Sequence, residues 1–189
     1  MTMGRSRITA CRWVALAAVV VLLSACRGDK GRPWTEYEES FGSIGIKVMS
    51  KLNTWIYQAS GGQWGGEFAN GAPILLLTTT GRKSGQARTS PLLYLRDGED
   101  FIIVASKGGM THNPLWYLNL QAQPNCEVQV GEETFPVIAA TVGDEEKKVL
   151  WPRLVQMYPE YDDYQKRTKR PIPVVRLTRQ PQQEPAPQT

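Results

Sequence analysis

Four stretches carry residue types that can do chemistry. The first, residues 78–91, reads TTTGRKSGQARTSP between two apolar runs, Ile74-Leu75-Leu76-Leu77 and Leu92-Leu93-Tyr94-Leu95. It holds two glycines (Gly81, Gly85), three cations (Arg82, Lys83, Arg88), hydroxyls that include Ser84, and no acid. Glycine lets a backbone turn tightly and expose its N–H groups, and cations beside those groups bind an anion. On this stretch alone, a hairpin turn that happens to be basic explains the composition equally well. The second stretch, Ala105-Ser106-Lys107-Gly108-Gly109, repeats the same chemistry, and the coincidence favours an anion site. In the third, Asn113-Pro114-Leu115-Trp116-Tyr117-Leu118-Asn119-Leu120, aromatic residues at a helix start beside a polar loop can flank a flat ring. Core packing is nevertheless the better reading of Trp116, Leu118 and Leu120. The fourth contains Tyr158, Tyr161 and Tyr164, which share one helical face if the segment is helical. A phenol can donate a proton or hydrogen-bond a developing oxyanion. For any single tyrosine, packing on the domain is the plainer explanation.

Several chemistries are poorly supported. The chain has one histidine, His112, and no CxxC, which leaves metal ligation without a framework. A Ser-His-Asp or Cys-His mechanism would rest on His112 alone, in a glycine- and asparagine-rich loop. Gly81-Arg82-Lys83-Ser84 lacks the Walker spacing and precedes a strand pattern, and no dinucleotide fingerprint is present. Cys126 alternates with Val128 and Val130, as a small buried core thiol would.

The elements that must position these groups follow from periodicity and breakers. Of the 189 residues, the first 25 combine Arg5, Arg7 and Arg12 with an apolar run from Trp13 to Leu23 and then Leu23-Ser24-Ala25-Cys26. This reads as a secretory signal. It also resembles a bacterial lipobox, which implies cleavage before Cys26 and a lipid on its sulfur. An uncleaved anchor is the alternative, though the run is short for a membrane span. Removing residues 1–25 takes the formal charge from +4 to +1. A nearly neutral remainder gives no reason to expect nucleic-acid binding.

Residues 26–37 read as a tether and 38–60 as a helix, with Phe41, Ile44, Val48, Leu52, Trp55 and Ile56 in one stripe. That stripe would pack on the domain or lie at a membrane surface. Strands are expected at 73–80, 89–96, 101–107, 126–130, 134–142 and 172–178, and helices at 114–121, 144–157 and, less regularly, 158–170. The Pro- and Gln-rich residues 180–189 suit a disordered tail. Because the strands follow one another through turns, an antiparallel barrel with peripheral helices is expected for 61–179.

Three of these stretches together, TTTGRKSGQARTSPLLYL, IIVASKGGMTHNPLWYLNLQAQP and WPRLVQMYPEYDDYQKRT with IPVV, resemble the deazaflavin-dependent nitroreductases in order and spacing. The resemblance runs from about residue 43 to 175. It implies a mainly β, α+β fold, an FMN-binding-like split β-barrel of about six antiparallel strands. It also implies hydride transfer from reduced coenzyme F420 to a quinone, menaquinone above all, or to a nitroaromatic compound. Arg82, Lys83, Ser84 and Arg88 would then hold the cofactor's phosphate and acidic tail. Pro91, Leu92, Leu93 and Tyr94 would line its groove, Ala105, Ser106, Lys107, Gly108 and Gly109 would hold phosphate and ring, and Asn113, Pro114 and Trp116 would complete the site. Tyr158, Tyr161, Tyr164 and Ser106 would line the acceptor pocket, with Tyr161 the hydrogen-bond or proton donor. The alternative is a non-enzymatic membrane-anchored lipoprotein that binds a lipid or flavin-like ligand in the same barrel.

Overall fold

The computed structural model describes residues 32–60, 65–68 and 71–181. The expected signal, Cys26, most of the tether and nearly all of the tail lie outside the described residues, as do the Phe41, Ile44 and Val48 side chains.

Helix α1 (Glu36–Ala59) starts at a reciprocal cap: the Thr35 side chain accepts from the Glu38 N–H, and the Glu38 carboxylate accepts from the Thr35 N–H. These contacts, together with Arg32, hold the Glu38 carboxyl down at about 2. Near its C-terminal end the helix meets the barrel through Tyr57, which is buried. Its hydroxyl donates to the Ile74 carbonyl at 3.3 Å and accepts the Gly131 N–H at 2.7 Å. Leu52 and Trp55 of the expected stripe face outward instead, Trp55 at 68% exposure.

Six strands follow: β1 (Ile74–Thr80), β2 (Ala87–Asp97), β3 (Asp100–Val104), β4 (Asn125–Val130), β5 (Glu133–Thr141) and β6 (Val174–Arg179). All pair antiparallel and close a barrel in the order β1-β2-β3-β6-β5-β4. The period of two sorts the side chains. Leu75, Leu77, Phe101, Ile103, Val128 and Val175 fill the interior, and α2 (Leu115–Ala122) packs Trp116, Tyr117 and Leu120 against them. Cys126 packs against the same core, and burial pushes its thiol up to about 12, so it is not a nucleophile at neutral pH.

Outside the barrel, Ile102, Val104 and Val174 lie under α3 (Asp144–Met157) and α4 (Glu160–Arg167), while Ile74 and Leu76 lie under Tyr57. Leu93 packs against both groups and so marks the seam between α1 and the α3–α4 pair.

Strand β3 ends at Val104, short of the expected residue 107. The reason is local: the Ala105 and Ser106 carbonyls are captured by the Arg170 guanidinium, and a left-handed turn follows. The α2 start also differs slightly, with Pro114 as N-cap rather than first helical residue.

Candidate functional site

The first basic loop is closed by three backbone bonds: Gly81 N–H to the Gln86 carbonyl (2.8 Å), and Ser84 N–H and Gly85 N–H to the Gly81 carbonyl (3.1 and 2.7 Å). A Cβ at Gly81 would come within 2.7 Å of Ser84 Oγ and displace it, and Gly85 adopts φ +67°, where any other residue would be strained. The loop presents Arg82, Lys83, Ser84 and Arg88 to solvent. Among the described residues none of these three cations forms an ion pair; Arg88 donates only to the neutral Gln86 Oε1, at 2.9 Å. Behind the loop sits Asn119 of α2, 6% exposed. Its Oδ1 accepts the Arg82 N–H and its Nδ2 donates to Thr79 Oγ1, both at 3.1 Å.

The second loop runs through three successive positive-φ residues: Lys107 at +48°, Gly108 at +66° and Gly109 at +77°. For Lys107 this costs about 1–2 kcal/mol. Arg170 offsets that cost from below. Its Nε donates to the Met110 carbonyl (2.9 Å), Nη1 to Asn113 Oδ1 (2.9 Å), and Nη2 to the Ser106 and Ala105 carbonyls (2.7 and 3.2 Å). Just ahead of α1, Trp34 Nε1 donates to the Gly108 carbonyl at 2.8 Å, and in the first turn of α1 Glu39 accepts both the Thr111 N–H and its hydroxyl. The Ser106 hydroxyl caps nothing in this turn. The two loops are joined through α2, because Asn113 precedes it and Asn119 lies within it.

A Cβ on Gly109 would stand 2.6 Å from the Tyr164 carbonyl oxygen, so only glycine lets α4 approach here. That contact brings the tyrosines to the second loop. The Tyr158 and Tyr164 hydroxyls are 3.1 Å apart, and the Tyr158 ring meets Tyr161 edge-on at 5.1 Å between centroids. Tyr161 is the more enclosed, at 4% exposure, with Tyr158 at 9%. Burial raises the pKa of both, aided at Tyr158 by the neighbouring Tyr164. Both phenols therefore keep their protons across the physiological range.

The remaining expected site residues divide. Pro91 and Leu93 lie on the outer face of β2, in register with Leu76 and Ile74, whereas Leu92 and Tyr94 point into the barrel core. Pro114 is buried and Trp116 packs inside the core cluster. Asn119, Arg170, Trp34 and Glu39 were not anticipated. Asn119 does leave a sign, since it is the one strongly polar residue in the apolar run LWYLNL. Arg170 sits in the basic run KRTKR and leaves none. Two concavities lie apart from both loops: one of about 230 Å³ beside Tyr117 and Gln121, and one of about 530 Å³ beside Lys147 and Trp151.

The closed antiparallel barrel, with glycine-rich basic loops and a phenol cluster against one of them, is a split-barrel architecture. The comparisons with known proteins supply the family. The family described as "F420H(2)-dependent quinone reductase" matches residues 49–179. The F420H(2)-dependent quinone reductase Rv1261c of Mycobacterium tuberculosis (strain ATCC 25618 / H37Rv) is 43% identical over 141 residues, spanning 72% of this chain and 93% of the relative. A solved structure of an F420-H2 dependent reductase (FDR-A) is 42% identical, covers 56% of this chain and 93% of that one, and superposes with a TM-score of 0.52. A solved domain-swapped dimer, 35% identical, covers 69% and 96% with a TM-score of 0.55. This chain belongs to the F420H2-dependent quinone reductase family, oxidoreductases whose reductant is reduced coenzyme F420. That membership favours the enzyme over the non-enzymatic lipoprotein.

Proposed function

We propose that the protein reduces a quinone of the menaquinone type at the expense of reduced F420, with nitroaromatic compounds as surrogate acceptors. The observation that carries this reading is the Gly109–Tyr164 approach, which sets a protonated phenol cluster against a basic, glycine-rich loop.

The residues present fit the cofactor. F420 is a polyanion, and Arg82, Lys83 and Arg88 are exposed cations without acidic partners among the described residues. These three and Ser84 would hold its acidic tail and phosphate. The Ala105–Gly109 backbone, with Ser106 and Lys107, would hold phosphate and ring, and Pro91 and Leu93 would line the groove. Leu92, Tyr94, Asn113, Pro114 and Trp116 would act from behind, by fixing that surface. When bound, the reduced cofactor supplies a hydride. The chain's own task is to orient the acceptor, exclude water and meet the negative charge that grows on the acceptor oxygen. Tyr158, Tyr161 and Tyr164 are neutral donors suited to that task, and a phenol proton given to the oxygen is replaced from solvent. The Tyr158–Tyr164 hydroxyl pair favours those two as the direct donors, with the more enclosed Tyr161 fixing their rings.

The N-terminal segment fits a lipid anchor at Cys26 on the outer side of the cell membrane, and the exposed Leu52 and Trp55 on α1 suit contact with a bilayer that delivers a lipid-soluble quinone. Membrane fractionation with and without Cys26→Ala checks the anchor. For the reaction, purified protein is mixed with reduced F420 and a naphthoquinone, and cofactor oxidation is followed. Turnover that depends on protein and quinone is expected; oxidation at the rate of a protein-free control contradicts the reading.

A further inference from the structure

Arg167, at the C-terminal end of α4, is 8% exposed. Its guanidinium carbon lies 5.5 Å from the Trp34 ring centroid and 5.7 Å from that of Tyr164. Its stem is at the second loop, since a Cβ on Gly109 would stand 3.1 Å from the Arg167 Cβ. Among the described residues no carboxylate or carbonyl accepts from it. Acids on the same helix and on α1 have other partners: Asp163 pairs with Lys166, Asp162 accepts from Trp151 Nε1, and Glu39 accepts from Thr111. The neighbouring Arg170 is spent on backbone carbonyls. Two ring faces offset part of the cost of burying a cation. They leave the five N–H donors of the fork unused, and these nitrogens are not among the polar atoms sealed in the interior.

We propose that Arg167 is a binding residue for an anionic oxygen, at the junction of the Gly108–Gly109 backbone, Trp34 and Tyr164. The inference rests on the function proposed above, and there the oxygen has two sources. One is a phosphate or carboxylate of the deazaflavin. The other is the oxygen of the quinone, which becomes anionic as it is reduced. Both present the same chemistry to a guanidinium, a charge-assisted hydrogen bond to an anionic oxygen. Trp34 and Tyr164 both neighbour the guanidinium, which restricts it before the ligand arrives.

Arg167→Met separates this role from packing, because methionine keeps an apolar stem between the two rings and removes charge and donors. The full-length protein is assayed for the Kd of oxidised F420 by fluorescence titration, and for kcat and KM with menadione. A loss of roughly tenfold or more is expected in one of these quantities. A weaker Kd with unchanged kcat assigns the oxygen to the cofactor. An unchanged Kd with lower kcat/KM assigns it to the acceptor. If Kd, kcat and KM all match the unaltered protein, the proposal is overturned and Arg167 is a latch for Trp34 alone. Should Arg167→Met fail to fold, Arg167→Lys decides in the same assays. It keeps the charge but not the fork, so a smaller loss in the same quantity is expected and no loss overturns the proposal. Failure of the unaltered protein to bind F420 would instead overturn the functional reading.

Discussion

Replacing Arg170 by methionine removes four hydrogen bonds, at 2.7, 2.9, 2.9 and 3.2 Å, from a half-buried guanidinium. Three end on backbone carbonyls, of which, among the described residues, only that of Ser106 is also seen to accept a backbone N–H, from Gly109 at 3.0 Å. The 3.2 Å bond is weak, and water reaches part of the site, so we count about 1 kcal/mol for each of the other three. The net loss is then about 3 kcal/mol, in line with breaking a partly buried charged network. For a domain of this size each kcal/mol moves Tm by about 2–4 °C, which gives a fall of about 6–12 °C. The same bonds hold Lys107 in its left-handed conformation, and losing them lets the loop relax. F420 affinity should therefore fall as well, by roughly tenfold, while Arg170→Lys recovers part of both. Differential scanning calorimetry and cofactor titration provide the two readings. A Tm within about 2 °C of the unaltered protein, together with an unchanged Kd, refutes the reasoning that this arginine shapes the loop.

Other consequences follow from the same geometry. The double change Lys83→Ala and Arg88→Ala should weaken F420 binding by roughly tenfold or more at low salt and by less at high salt, since these exposed contacts are screened; calorimetric titration at two ionic strengths checks it, and Tm should not move. Burial raises the Tyr158 pKa, so the folded state favours the neutral phenol. The stability from that phenol is intact below the ordinary value of about 10 and is lost as pH rises beyond it; Tyr158→Phe should flatten the alkaline fall in Tm and lower kcat more than it raises the cofactor Kd. Asp97 accepts from Arg153 and Arg176, which depress its pKa. Its contribution is present above about pH 4 and fades as pH falls through the lowered value. Asp97→Asn should cost about 1 kcal/mol at pH 7, discounted for solvent screening, and should narrow the gap to the unaltered protein in acid unfolding.

The barrel was legible because each strand announces itself. ILLLTTT and ARTSPLLYLRD sit on either side of a glycine turn, and the pairing Ile74 with Leu93 is the register that turn dictates. The alternation also warns that Pro91, Leu92, Leu93 and Tyr94 cannot all face one groove, a consequence of strand geometry that a motif match overlooks. The loop cations were legible from composition, since no acid accompanies them. What could not be read was long-range. Arg170 acts on residues more than fifty positions earlier, and nothing in KRTKR distinguishes it from a solvated charge run. Trp34 and Glu39 fall where composition suggests a tether and a helix start, yet both bond to the second loop. Nor does periodicity say what an apolar stripe lies against: Leu52 and Trp55 of the α1 stripe are exposed, while Tyr57, outside it, is buried on the barrel, its hydroxyl satisfying backbone groups at Ile74 and Gly131.

The central claim is that the cations of residues 81–88 and the loop at 105–109 hold F420 for a reaction done beside the tyrosines. Fluorescence titration of oxidised F420 with the purified protein tests it most directly. Saturable binding at micromolar cofactor or below, weakened by roughly tenfold or more at low salt on Lys83→Ala with Arg88→Ala and retained on Tyr158→Phe, is the predicted result. No binding at micromolar cofactor, or binding indifferent to the two cations, would contradict it.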